Sequence, residues 1–301
     1  MTIKHIVING GGPNMWYMYG ALKHLHEKSI WNLENIESVY ATSAGALLFT
    51  ILVLINDWDD IDNFLINCTW DKYIDTSLDK FLLLFNKKGI YDIKLYEQIL
   101  KPLLEMNNLS IDVSFSDFCK KYDKNFFFYC SNLNTFTHAC ISNTTHPDIK
   151  FIQALQMTSA VPPIVEPVTY NGEIYFDGAL FYNYPLKPCY DCDGVNPDEI
   201  LALKNMENSA GKFEINENDN FFSYMSHIFK KFINRSDNMH IQPKIKNEVH
   251  LMFQSTVNYE YWTNILSNKN YREKIKQDGI NCAKLFILYN NNQNNQNNQN
   301  N

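Results

Sequence analysis

A chain of 301 residues, 45% of them hydrophobic, can bury one large core or two small ones. Its net charge of −7 leaves no surplus of basic residues for the concentrated positive face of a general nucleic-acid binder, so no nucleic-acid partner is expected. No basic run followed by an apolar core opens the chain. The apolar runs around Leu47–Ile55 and Phe81–Phe85 are too short to span a bilayer, so neither a secretory signal nor a membrane helix is expected. Seven cysteines, an odd and scattered set, fit reduced thiols in a cytoplasmic setting.

Lys4–Asn9 predicts a first strand, and the string Asn9-Gly10-Gly11-Gly12-Pro13-Asn14 follows at once. Three glycines let the backbone aim successive N–H groups at one point, beside the start of a helix predicted over Asn14–Lys28. Such a nest can hold a developing oxyanion or a bound phosphate. A dinucleotide fingerprint would need glycine where Met15 stands, and a P-loop would need Gly-Lys-Ser/Thr, which is missing. A plain glycine-rich turn is the alternative.

Ile36–Tyr40 suits a short buried strand and Ala44–Ile55 a buried helix. Between them, Ala41-Thr42-Ser43-Ala44-Gly45 places a serine at a sharp strand-to-helix turn. This is the form of a nucleophile elbow, G-x-S-x-G, with alanine for the first glycine. Small residues are needed because the strand and helix backbones nearly touch there. The alternative is an ordinary junction in which Ser43 caps the helix.

Helical stretches are expected across Asp59–Leu104, with Asp57, Asp59 and Asp60 as capping or solvated carboxylates at a polar helix start. Strands are expected at Phe126–Leu133 and His138–Ser142, a helix at Ile152–Met157, and strands at Glu173–Phe176 and Ile200–Leu203. Tyr175-Phe176-Asp177-Gly178-Ala179 puts a carboxylate at a strand end, although Asp-Gly is also a common turn. Cys189 and Cys192 have the spacing of half a zinc site but no second close pair, so they read as free loop thiols, and no metal or other cofactor is expected. Asn205–Asn247 is polar and Asn-rich, an insertion or lid. Within it Phe221, Phe222, Met225, Ile228, Phe229 and Phe232 recur at helical spacing near Lys230, Lys231 and Arg235. That stripe would face the core, cover the site or make peripheral contact with a membrane. Leu285–Tyr289 is expected as the last strand and Asn290–Asn301 as a disordered Asn/Gln tail.

Alternating strands and helices imply an α/β sheet covered on both faces. The nest, Ser43 and Asp177 all fall at C-terminal strand ends, the edge where open α/β sheets place their sites. A serine needs a base to take its proton and donors to hold the oxyanion it creates. In a triad that base would be histidine, with His227, His240 and His250 as candidates. His24 and His26 are expected to face solvent on the first helix, and His138 and His146 flank a hairpin.

Taken in order, the glycine nest, the elbow and the Asp-Gly motif resemble the patatin-like phospholipase family. GGGPNMWYMYGALKHL is similar to its glycine-rich motif and helix, ATSAGAL to its elbow, and MTSAVPPIVEPVTYNGEIYFDGALFYNYPL to its Asp-Gly segment with the later Asn-x-Pro. The resemblance runs from about Lys4 to Pro188. It implies a three-layer α/β/α fold with a mostly parallel central sheet, and a lipid acyl hydrolase acting on phospholipid or another acyl lipid through a Ser-Asp dyad. Ser43 would be the nucleophile, Asp177 the base, and the N–H groups of Gly11 and Gly12, helped by Gly10, the oxyanion hole. Ala41, Thr42, Ala44 and Gly45 would shape the elbow, and Gly178 and Ala179 the Asp-Gly motif. The family usually carries Lys or Arg, then Gly, where this chain has Asn14 and Met15. That departure keeps open a catalytically weak lipid-binding or interaction protein on the same fold. Residues 1–204 are expected to form the catalytic core, 205–289 an extension or lid packing on the same domain, and 290–301 the tail.

Overall fold

The computed structural model describes residues 2–74, 87–207, 217, 224–225, 227–228, 231–233, 235, 240–253 and 259–299. Strand β1 (His5–Ile8) lies between β2 (Ser38–Thr42) and β7 (Ile200–Glu207), parallel to both. Beyond β2 comes β3 (Asn125–Asn132), and beyond β7 comes β8 (Glu248–Phe253), again in parallel pairs. Antiparallel additions close the other side: β4 (Thr137–Ser142) pairs with β3, β6 (Glu173–Asp177) pairs with β3, and β5 (Val168–Tyr170) pairs with β6. The result is an eight-stranded, mostly parallel sheet.

Strand alternation divides the side chains between two unequal layers. Ile6, Ile8, Val39, Ala41, Phe126, Phe128, Leu201 and Leu203 enter the larger core. The helices α1 (Met15–Glu27), α2 (Ala44–Ile55), α3 (Trp58–Asp62), α4 (Ile93–Met106), α5 (Phe115–Tyr122) and α6 (Phe151–Ser159) contribute to the same core. Val7, Tyr40, Tyr129 and Ala202 face the other way, against Tyr182, Tyr184, Leu186 and Cys189, where α7 (Leu186–Tyr190) forms a thin cover. The caps are local: Asp57 accepts from the Asp59 and Asp60 N–H groups, and Ser114 from that of Asp117.

Three expectations are corrected. Leu285–Tyr289 is not a strand; it lies in α9 (Lys269–Gln299), which follows α8 (Tyr259–Ser267). Arg272, Ile275, Cys282 and Ala283 are buried at helical spacing, while Leu285, Leu288 and Tyr289 are exposed. An apolar run of five residues fits either period, and the buried residues upstream decide for the helix. The backbone of Asn290–Gln299 continues α9 in place of the expected disorder, since each residue added to an existing helix gains a hydrogen bond without a new nucleus. His24, expected at a solvent face, is buried, and His26 is half-buried against Trp31 and Trp58. Phe81–Phe85, and Phe221, Phe222, Phe229 and Lys230 of the amphipathic stripe, lie outside the described residues. The position 204/205 falls inside β7, which runs through it unbroken. No helix among the described residues is long and apolar enough to cross a membrane.

Helices α1 and α9 cross so closely that neither has room for a side chain at its crossing glycine. A Cβ on Gly20 would sit 2.0 Å from the Lys276 carbonyl oxygen, and one on Gly279 would sit 2.1 Å from that of Tyr17. The crossing is clamped beside this contact by Asp62, which binds Lys23, Lys276 and the Tyr19 hydroxyl. Gly20→Ala is expected to lower the unfolding free energy by about 1–3 kcal/mol through overpacking, although alanine favours a helix by about 1 kcal/mol. Urea denaturation measures this; an unchanged or raised midpoint would show that the helices do not meet so closely.

Candidate active site

The site begins with β3, one of whose edges is shared by two strands. On its other edge β4 pairs with Phe127–Asn132. Strand β2 pairs with Asn125–Tyr129 and β6 with Cys130–Asn132, each overlapping β4, so both must lie on the opposite edge. They run in opposite directions and meet there C-terminus to C-terminus. Thr42 is registered against Tyr129 and Asp177 against the next residue, Cys130. The residue after Thr42 is Ser43.

Ser43 turns the chain with φ 53 and ψ −125, backbone angles that non-glycine residues rarely adopt. Its side chain makes no capping bond to α2. Instead Oγ donates to Asp177 Oδ2 at 2.5 Å, with both residues buried. The Ser43 N–H donates to Thr158 Oγ1 at 2.9 Å, and the Thr158 hydroxyl donates in turn to the Tyr129 carbonyl at 2.5 Å. Asp177 serves both as turn residue and as partner: its Oδ1 accepts from the Ala179 N–H at 2.8 Å. Ser131 fixes the Asp177 main chain, its hydroxyl donating to the carbonyl at 2.8 Å.

The small residues answer to particular neighbours. A Cβ on Gly178 would lie 2.2 Å from the Tyr129 carbonyl oxygen, and one on Gly45 would lie 2.7 Å from that of Asn9. The constraint at Gly45 therefore comes from β1 and its loop, not from β2 as the elbow pattern suggests. Ala41 packs into the larger core, Ala44 and Ala179 are buried, and Thr42 donates its hydroxyl to the Tyr182 carbonyl at 3.2 Å.

The glycine loop lies against this serine. A Cβ on Gly10 would be 2.9 Å from Ser43 Cβ. The Gly10 N–H is itself occupied, donating to Asn183 Oδ1 at 3.0 Å. Among the described residues, no acceptor is bonded to the N–H of Gly11 or Gly12. Gly12 has φ 52, where glycine is the residue without strain. Asn14 is buried and accepts from the Tyr261 hydroxyl at 3.0 Å, so the position of the family's usual cation is neutral.

Neither His240, which reaches the Phe181 carbonyl, nor His250, which reaches Glu248, is bonded to Ser43 or Asp177. Among the described residues, no three His, Cys, Asp or Glu side chains converge as metal ligands. Thr158, Asn183, Asn205, Tyr261 and Trp262 surround the site without having been singled out from the sequence. Asn183 had a signal in the Asn-x-Pro string, whereas Asn205, Tyr261 and Trp262 had none.

Burial pushes the Asp177 carboxyl up from its ordinary 3.8 to about 6, with the bonds from Ser43 and the Ala179 N–H opposing the rise. A carboxyl pKa raised on folding stabilises the protein fully at low pH and less as pH climbs. Stability is lost between about pH 4 and pH 6, by roughly 3 kcal/mol at most. Asp177→Asn removes this titration. Its melting temperature relative to wild type is expected to be higher at pH 8 than at pH 4, read by scanning calorimetry at both. A difference independent of pH would mean that Asp177 ionises freely in the folded chain.

The geometry has relatives. Protein R571 of Acanthamoeba polyphaga mimivirus is 26% identical over 248 residues, covering 78% of this chain and 82% of its own length. The probable lipid hydrolase 463L of invertebrate iridescent virus 6 is 22% identical over 185 residues, 61% of this chain and 62% of its own. Among solved structures, VipD from Legionella pneumophila superposes with a TM-score of 0.55 at 16% identity, over 96% of this chain and 67% of its own, a likeness of fold. A model of the patatin-like phospholipases matches residues 6–190, from β1 through α7 and including the glycine loop, Ser43 and Asp177, so the chain belongs to the patatin-like phospholipase family.

Proposed function

We propose that this protein is a serine-dependent lipid acyl hydrolase that cleaves fatty acyl esters through an acyl-Ser43 intermediate. The observation that carries the reading is the 2.5 Å bond from Ser43 Oγ to Asp177 Oδ2, inside a buried strand junction that faces the glycine loop. Membership of the family and the likeness to the probable lipid hydrolase of the iridescent virus support a lipid substrate.

In the first step Asp177 takes the Ser43 proton while Oγ attacks the ester carbonyl. A base with a pKa near 6 is ionised at neutral pH yet still basic enough to accept a proton, which is the condition for effective general-base catalysis. The carbonyl oxygen becomes an oxyanion, and the N–H groups of Gly11 and Gly12 are the donors assigned to it. The tetrahedral intermediate collapses, the Asp177 proton goes to the departing alcohol, and the acyl group stays on Ser43. Water then enters, gives its proton to Asp177 and attacks the acyl ester. The returning proton restores the Ser43 hydroxyl and releases the fatty acid. The Ser43 N–H cannot join the oxyanion hole while Thr158 holds it.

A second reading, a lipid-binding protein with little turnover, is favoured by the neutral Asn14 beside the developing charge. Turnover separates the two. Ser43→Ala is expected to lower ester hydrolysis by several orders of magnitude, up to about a million-fold, and Asp177→Asn nearly as much. His138→Ala and His240→Ala are expected to stay within a few-fold of wild type. Steady-state assays on purified, folded variants check this. Ester turnover in Ser43→Ala close to wild type removes the assignment, and an essential histidine with an active Asp177→Asn replaces the dyad with a triad.

The same assignment fixes the pH profile. Because Asp177 must be ionised, kcat/KM is expected to fall tenfold per pH unit below an acid limb near pH 6, and Asp177→Asn leaves no limb there. A profile flat from pH 5 to pH 8 would show that Asp177 does not act as the base.

A further inference from the structure

We propose that Asn205 is a positioning residue that sets the direction of the Gly11 N–H, and thereby makes the glycine loop an oxyanion hole. This deepens the acyl-hydrolase reading and rests on it. The argument turns on one peptide unit. The Gly10 carbonyl and the Gly11 N–H belong to the same planar trans peptide and therefore point in opposite directions. Whatever holds the carbonyl aims the N–H.

Asn205 holds that carbonyl, its Nδ2 donating to the Gly10 oxygen at 2.8 Å. The adjoining peptide is held from another element, since the Gly10 N–H donates to Asn183 Oδ1 at 3.0 Å. Two carboxamides thus grip the polar groups of one glycine, one as acceptor and one as donor. Asn205 can reach because β7 overshoots β1: the last β1 pair is Ile8 with Leu203, and β7 continues four residues further, Asn205 being the second of them. Asn9 holds both its main chain and its carboxamide: in the orientation that satisfies the Asn9 nitrogen on the Leu203 carbonyl, the Asn9 side-chain oxygen accepts from the Asn205 N–H at 3.1 Å and from Asn205 Nδ2 at 3.3 Å.

The glycines explain why a brace is needed. A Cβ on Gly11 would lie 2.6 Å from Asn205 Nδ2, so only glycine leaves room for the carboxamide. A peptide between two glycines also rotates more readily than any other. Left unheld, this one can turn over, presenting a carbonyl oxygen where the oxyanion needs a donor. On the far side Trp262 of α8 packs against Gly12, with its ring 3.2 Å from where a Cβ would stand. Besides Asn183, the loop is therefore set by β7 and α8, both outside the segment that matches the family model.

The test is hydrolysis of a p-nitrophenyl acyl ester by Asn205→Ala and Asn205→Asp. It is paired with the binding of a trifluoromethyl ketone, which forms an oxyanion on the serine, and of an unreactive ether analogue, which does not. Loss of one oxyanion donor costs about 100- to 1000-fold in kcat, and a peptide free to sample both orientations should lose about 10- to 100-fold. Asn205→Ala is expected to show that loss in kcat with KM within about twofold of wild type. The ketone should weaken by the same factor, while the ether analogue binds unchanged. Asn205→Asp, nearly isosteric, should lose more because its carboxylate repels the Gly10 carbonyl, and it is the deciding variant if alanine destabilises the loop. Ser43-dependent hydrolysis with kcat retained in both variants, or equal weakening of ketone and ether analogue, overturns the positioning role alone. Hydrolysis that is absent, or equal in wild type and Ser43→Ala, overturns the acyl-hydrolase reading and this inference with it.

Discussion

Everything at the site depends on β2 and β6 meeting end to end along one edge of β3. Tyr129 and Cys130 are neighbours in sequence, so the strands registered against them must bring Thr42 and Asp177 together. No long-range attraction between Ser43 and Asp177 is required to join residues 134 apart, because the ladder of β3 does it. The same junction explains the glycine after Asp177. Where two strand ends abut, the Tyr129 carbonyl comes so near the chain that Gly178 has no room for a side chain. Tyr129 O also receives the hydroxyl of Thr158, which in turn takes the Ser43 N–H. One residue of β3 thus governs the serine through Thr158 and the aspartate through Gly178.

That arrangement opposes stability in two places. Ser43 is held at a positive φ where a serine costs of order 1–3 kcal/mol, and Asp177 is buried with no cation beside it among the described residues. Both costs are borne by the packing of the larger core, in which β1, β2, β3 and β7 each contribute alternate residues. A buried carboxylate beside a lysine or arginine would have been lowered in pKa and made a poor base. The hydroxyl of Ser43 and one backbone N–H are too weak to reverse the effect of burial. The isolation of Asp177 from positive charge is therefore a condition of its proposed role as well as a cost to folding.

Much of this was legible along the chain. The strand and helix around Ser43, the Asp-Gly corner and the glycine loop are each local patterns, and each forms near its expected position. What could not be read was pairing. The eight residues of β3 look like one more apolar strand, and nothing in NFFFYCSN says that two strands share its edge. The alternation in Glu248–Phe253 is clear in hindsight, with Val249 and Leu251 in the core, but the polar run before it hid the strand. Leu285–Tyr289 failed for the opposite reason. Its run of large apolar residues is mostly exposed on α9, and the residues that bury the helix, Arg272, Ile275, Cys282 and Ala283, are spaced too widely to form an apolar run.

The same limit explains why the residues around the glycine loop escaped notice. Asn205 is one asparagine in an Asn-rich stretch, and only its place two residues beyond the β1 pairing makes it different. Tyr261 and Trp262 belong to a helix whose apolar pattern shows a buried face and nothing more. Yet Tyr261 donates to the Asn14 side-chain oxygen, Trp262 backs Gly12, and Asn205 fixes the Gly10 carbonyl. A glycine-rich loop has no side chains with which to hold its own shape, so its geometry must be imposed by whatever packs around it. In this chain part of that support, the brace on the Gly10 carbonyl and the backing of Gly12, comes from beyond residue 190, from α8 and from a strand that sits beside β1 at the centre of the sheet. The C-terminal third is thus part of the architecture that gives the glycine loop its conformation, and a chain cut after the family segment would keep Ser43 and Asp177 but lose the contacts that orient the loop beside them.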